Sequence, residues 1–146
     1  MEKGVLFVCL GNASRSVMAE ALARHYWAQT MTVASAGVSP LGYIPQETIQ
    51  VLEEAGISTR GLRSKRIAEI EIEDFQLILN LAAYPLEESL ASSFKGRVIH
   101  WNVRDPYRGN LDAFRQARNA IEWLVTEKLP WWFGEVADSS DTRDRA

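Results

Sequence analysis

Apolar residues fall along this chain in two kinds of run that alternate. From Gly4 to Cys9 the stretch Val5-Leu6-Phe7-Val8 is short, unbroken and rich in strand formers, as expected of a strand buried on both faces. Met31 to Ala36 is a second run, ended by Gly37, and residues 75–81 and 97–101 supply a third and a fourth. Between them the period changes to that of a helix. Val17, Ala21 and Leu22 share a face in the segment from Ser16 to Trp27, and Ile49, Leu52 and Ala55 do so between Pro45 and a capping Gly56. Phe114, Ala117, Ile121 and Leu124 line a long last helix that Pro130 is expected to stop, leaving Trp131, Trp132 and Phe133 just beyond it.

Strands that alternate with helices predict an α/β fold: a small doubly wound four-stranded parallel sheet with helices on both faces and right-handed crossovers. Such sheets bind ligands beyond the carboxyl ends of their strands, at the point where strand order reverses. Cys9 stands at a strand end of this kind.

Composition narrows the picture only a little. The chain has 146 residues, 47% hydrophobic and 24% charged, which fits one globular domain over residues 1–137 followed by a polar, unpatterned and disordered tail from Asp138 to Ala146. A formal charge of −3 argues against a nucleic-acid partner. The N-terminal apolar run is too short to span a bilayer and lacks a signal peptide's flanks, so no membrane partner and no secretion are expected. A single cysteine cannot form an internal disulfide, and the cytoplasm is the expected compartment.

Cys9 is followed by Leu10-Gly11-Asn12-Ala13-Ser14-Arg15-Ser16, where a helix opens. Alone, a cysteine at a strand end is as readily a buried core residue. Here the loop holds Gly11 and Asn12, which tolerate positive φ, so its backbone N–H groups can converge on one point that suits an oxyanion. A thiol beside a helix N-terminus and a guanidinium is favoured as the thiolate, the nucleophilic form, and Arg15 can grip two oxygens at once. Arg60, Arg63, Lys65 and Arg66 form a basic cluster that reads as solvated surface. His25 and His100 have no neighbouring ligand set, and no metal site is expected.

The run Cys9-Leu-Gly-Asn-Ala-Ser-Arg15-Ser16, a Cys-x5-Arg loop, resembles the phosphate loop of the low-molecular-weight protein tyrosine phosphatases and the related arsenate reductases. The resemblance continues at Ser35-Ala36-Gly37 and at Asp105-Pro106-Tyr107, and implies a phosphotyrosine phosphatase I-like fold. It implies Cys9 as nucleophile, Arg15 as phosphate clamp and Asp105 as general acid and base, with no cofactor. Leu10, Gly11, Asn12, Ala13, Ser14 and Ser16 would form the phosphate site, with Ser35 bracing the loop. Tyr107, Leu41 and Tyr43 would wall the substrate slot. Phosphotyrosine proteins or small aryl phosphates are the implied substrates, and inorganic phosphate or another oxyanion the implied loop ligand, for a monomer or weak homodimer. Ala82 and Ala83 stand where a reductase with an internal relay would carry a resolving cysteine. Two alternatives stay open: a single-cysteine arsenate reductase coupled to an external thiol, and an inactive phosphate-binding module.

Overall fold

The computed structural model describes residues 3–82, 86 and 94–137, so Ala83 and the tail from Asp138 lie outside the described residues. The first strand, β1 (Lys3–Cys9), leads through a five-residue turn into α1 (Arg15–Trp27). Then come β2 (Met31–Gly37), α2 (Gln46–Glu54), two 3-10 turns at Ile67–Glu69 and Ile72–Asp74, β3 (Leu77–Asn80), β4 (Arg97–His100) and α3 (Leu111–Trp123). The strands form one parallel sheet in the order β2-β1-β3-β4. The chain moves to one side of β1 first and to the other side afterwards. The switch point is therefore the carboxyl end of β1, where Cys9 sits opposite Gly37.

Alternation along β1 sorts the core. Val5 and Phe7 point to one face, with Leu77, Leu79, Met18, Leu22, Val51, Leu52, Phe114 and Ile121. Leu6 and Val8 point to the other, against Ile67, Ile72, Phe75 and Ile78. Every residue from Arg15 to Ala23 is buried because α1 lies between the sheet and α3, which explains a helix with little polar face. Gly56 caps α2 as expected, with φ +76° and its N–H donating to the Glu53 carbonyl at 3.0 Å.

Two sequence expectations change. The third strand is shorter than 75–81, because Phe75 ends a 3-10 turn and packs on the far face. More importantly, Pro130 does not stop the last helix. After α3 the chain widens into a π turn at Leu124–Lys128, where the Leu129 N–H donates to the Leu124 carbonyl, and then continues as α4 (Leu129–Ala137). Proline lacks an N–H and its ring crowds the carbonyl four residues back, so a widened turn followed by a fresh helix start accommodates it. Trp27 Nε1 donates to the Val125 carbonyl at 2.9 Å within that turn. As a result Trp132 and Phe133 lie inside a helix and not beyond its end, and they are core residues, 4% and 3% exposed.

An ion-pair cluster ties α2 to α3. Glu54 accepts from Arg115 Nε at 2.7 Å and from Arg118 Nη1 at 2.9 Å. The hydrogen bond from Arg115, with help from Arg118, holds the Glu54 carboxyl below its ordinary value of 4.5 despite some desolvation. A carboxyl depressed by folding stabilises the fold above its unfolded pKa, and that stability is lost as pH falls through the folded value. Glu54→Gln should therefore have a lower urea midpoint than wild type at about pH 7, with the gap narrowing as pH falls below the ordinary carboxyl value of 4.5. A gap that is constant across that range would contradict the assignment.

Candidate active site

The turn between β1 and α1 has its carbonyls occupied on the outside. The Cys9, Leu10 and Gly11 carbonyls accept from the N–H groups of Val38, Ser39 and Leu41 at 3.2, 2.8 and 2.8 Å. Ser64 Oγ donates to the Gly11 carbonyl at 3.0 Å, Thr48 Oγ1 to the Ala13 carbonyl at 3.1 Å, and the Met18 N–H to the Ser14 carbonyl at 2.8 Å. Among the described residues, none of the N–H groups from Leu10 to Ser16 has a protein partner. Asn12, at φ +45°, supplies the left-handed residue that lets successive N–H groups turn inward. Buried donors need an acceptor, and a cluster of them at a helix N-terminus is a receptor for an anion.

Cys9 is 3% exposed and its Sγ lies 3.0 Å from Ser16 Oγ. The direction of that bond follows from the groups behind it. The Lys65 N–H donates to Asn12 Oδ1 at 2.8 Å, which leaves the Asn12 amide nitrogen with two protons to give. They go to Ser16 Oγ at 2.8 Å and Ser35 Oγ at 2.9 Å. Ser35 passes its own proton to Glu20 Oε1 at 2.5 Å. Ser16 therefore accepts from Asn12 and donates its single hydroxyl proton to Cys9 Sγ.

Asn12, Ser16 and Ser35 are each fully buried and their side chains lie behind the cradle, while the N–H groups of Asn12 and Ser16 belong to the cradle itself. The expected phosphate site is thus two layers. Leu10, Gly11, Ala13, Ser14 and Arg15 line a cavity of about 240 Å³ with Cys9, while Asn12 and Ser16 fix its shape from beneath. Ser39 and Leu41 form one side, and Asp105 and Tyr107 the other. Tyr43 is not in the lining. It is 54% exposed at the rim, where its hydroxyl lies 3.3 Å from the Tyr107 hydroxyl, a contact that raises the Tyr43 pKa above 10.0.

Arg15, 7% exposed, is steered by Nη1 donating to the Leu81 and Val103 carbonyls at 3.3 and 3.0 Å. Its Nη2 lies 3.4 Å from Asp105 Oδ2, which brings the carboxyl over the mouth of the cradle. The Tyr107 N–H donates to Asp105 Oδ1 at 3.0 Å, so the turn after β4 sets the carboxyl's direction.

Three contributors were not singled out from the sequence. Glu20 is 4% exposed and pairs with Arg24 and, at 3.5 Å, with Lys65 Nζ. Lys65 was expected on a solvated surface, but its side chain is only 11% exposed because it closes this buried network. Thr48, on α2, buttresses the cradle from outside. The signal for Glu20 was its position four residues after Ser16, on the same helix face. Among the described residues, no group of three or more His, Cys, Asp or Glu side chains could hold a metal ion.

Gly37 sits where the cradle crosses β2. A Cβ there would lie 2.9 Å from Asn12 Cβ, Asn12 N and the Leu10 carbonyl oxygen, all held in place. Gly37→Ala should fold but displace the loop and weaken phosphate or vanadate binding about tenfold, ~1.4 kcal/mol, by titration calorimetry. Unchanged affinity would mean that the loop yields at no cost.

Comparison with known proteins identifies a family for the chain. The sequence matches the family described as low molecular weight phosphotyrosine protein phosphatase over residues 4–135. A glutaredoxin arsenate reductase of Synechocystis is 30% identical over 127 residues, covering 84% of this chain and 93% of that one. A probable low molecular weight protein-tyrosine-phosphatase, EpsP, of Ralstonia nicotianae is 30% identical over 140 residues, covering 89% and 96%. The solved structure of an arsenate reductase in the phosphate binding state superposes with a TM-score of 0.77 at 26% identity, covering 92% of this chain and 98% of that one. With a match over residues 4–135 of its 146, the chain belongs to the low molecular weight phosphotyrosine protein phosphatase family.

Proposed function

We propose that this protein hydrolyses aryl phosphate monoesters, phosphotyrosine foremost, through a phosphocysteine intermediate on Cys9. The observation that carries the reading is the single thiol beneath a ring of unpartnered N–H groups, with a guanidinium and a carboxyl 3.4 Å apart at the mouth. In the first step the Cys9 thiolate attacks phosphorus, the S–P bond forms and the bond to the phenolic oxygen breaks. Asp105, in its acid form, gives its proton to the departing phenolate. The N–H groups and Arg15 hold the three equatorial oxygens as charge shifts in the transition state. In the second step the Asp105 carboxylate takes a proton from water as the water oxygen attacks phosphorus. The S–P bond breaks, phosphate leaves and the thiolate is restored. Leu41 and Tyr107 flank the ring, and no cofactor enters either step.

One observation favours a second reading, a single-cysteine arsenate reductase that uses an external thiol. A relative named as a glutaredoxin arsenate reductase is 30% identical, and the same cradle fits a tetrahedral arsenate. For either reading the cytoplasm is the proposed compartment. Among the described residues no helix is long and apolar enough to cross a membrane.

The two readings separate in one assay. Phosphate release from phenyl phosphate that is abolished in Cys9→Ser supports the first. Arsenite formation dependent on added glutathione or glutaredoxin, with no turnover of phenyl phosphate, would replace it with the second.

A further inference from the structure

Beside the candidate active site lies a larger groove, about 610 Å³, between the loop that carries Asp105 and the outer face of α3. Asp105 and Tyr107 line both spaces, so this loop is the partition between them. A phosphotyrosine seated over Cys9 would carry its flanking peptide across the Tyr107 rim and into the groove on one side.

The charge of the groove is specific. Arg104, Asp105, Arg108 and Asp112 are its ionisable groups. Both acids have cationic partners, Asp105 with Arg15 at 3.4 Å and Asp112 with Arg115 at 3.5 Å. Arg104 and Arg108 have no carboxylate partner among the described residues, unlike Arg15, Arg24, Arg63, Arg115 and Arg118. Arg108 also has φ +68°, a left-handed conformation that favours glycine or asparagine and that is sustained at constrained, functional positions. Its guanidinium lies 5.7 Å from the Tyr107 ring centroid, which holds the exposed cation beside the partition. Two uncompensated cations on a chain of net charge −3, beside the slot, form a local field complementary to acid.

Resting on the phosphatase reading, we infer that the groove selects substrates bearing acidic residues on one side of the phosphotyrosine, with Arg104 and Arg108 as the specificity-determining pair. The groove lies on the Tyr107 side of the slot, so the selection is directional. That separates it from general electrostatic steering, which would favour acid on either side.

The test compares three phosphotyrosine peptides of equal length: neutral, with glutamates before the tyrosine, and with glutamates after it. The wild-type chain should prefer one acidic peptide over the neutral one about tenfold in kcat/KM at low salt, the combined worth of two exposed ion pairs. The other acidic peptide should match the neutral one. In the Arg104→Gln/Arg108→Gln double variant the preference should fall to within about twofold while phenyl phosphate turnover persists, and salt should erase the wild-type preference. Equal hydrolysis of all three peptides by wild type would overturn the inference and leave the phosphatase reading standing, as would a preference that survives in the double variant. Hydrolysis of none of them would overturn both.

Discussion

Replacing Arg15 by lysine is expected to lower kcat/KM for phenyl phosphate by about three orders of magnitude, ~4 kcal/mol, although the formal charge is unchanged. The guanidinium has two jobs that an ammonium cannot share. Nη1 is committed to the Leu81 and Val103 carbonyls, which fixes the plane of the group, while the rest of the fork faces the mouth. A lysine placed at this 7%-exposed position either satisfies those carbonyls and leaves the oxyanion with one donor fewer, or turns to the anion and leaves two buried carbonyls bare. The two failures differ in the assay. Loss of transition-state contact lowers kcat with phosphate affinity little changed, whereas a disordered loop weakens phosphate binding as well. Arg15→Lys with activity within about tenfold of wild type would mean that the N–H groups do most of the work and that Arg15 is mainly structural.

Asp105→Asn is expected to produce an effect that depends on the leaving group. An amide cannot protonate a departing phenolate, so turnover of phenyl phosphate should fall by about 10²–10³, within the range for loss of general acid catalysis. A substrate whose phenol is already acidic, such as a nitrophenyl phosphate, needs less help to leave. For that substrate the loss should shrink, and breakdown of the phosphocysteine, which also needs Asp105 as a base, should then limit the rate. The expected signature is a burst of nitrophenol followed by slow turnover. An equal loss on both substrates without a burst would mean that Asp105 shapes the site through its 3.4 Å contact with Arg15 and does not transfer the proton.

Both predictions involve residues that were legible in the sequence, because Cys9, Arg15 and Asp105 belong to short motifs at strand ends. The parallel sheet was legible for a related reason: buried strands such as Val5-Leu6-Phe7-Val8 read as unbroken apolar runs. The end of the last helix was not. Pro130 is a reliable breaker only where the preceding turn is α-helical, and the π turn at Leu124–Lys128 removes the clash before it arises. No local pattern announces that turn.

The network beneath the cradle was hidden for a different reason. Glu20 and Lys65 are residue types that usually face water, so Lys65 was read as solvated surface and Glu20 was passed over. Their burial follows from long-range packing, since α1 is covered on nearly all sides and residues 64–66 run against both the cradle and β2. Tyr43 shows the converse. The sequence placed an aromatic in the correct loop, but Leu41 reaches the cavity and Tyr43 stays at the rim, because the Leu41 N–H is pinned to the Gly11 carbonyl at 2.8 Å.

The central claim is that Cys9 carries the phosphoryl group during turnover. The most direct measurement is rapid quench in denaturing alkali, where an S–P bond survives, of the wild-type chain and of Asp105→Asn during turnover of a nitrophenyl phosphate, followed by mass analysis of the peptide that contains Cys9. The account predicts a phosphate adduct on Cys9 that accumulates further in Asp105→Asn, where hydrolysis is slowed, and no adduct in Cys9→Ser. Steady turnover with no adduct on Cys9 in either protein, or turnover that survives in Cys9→Ser, would contradict it.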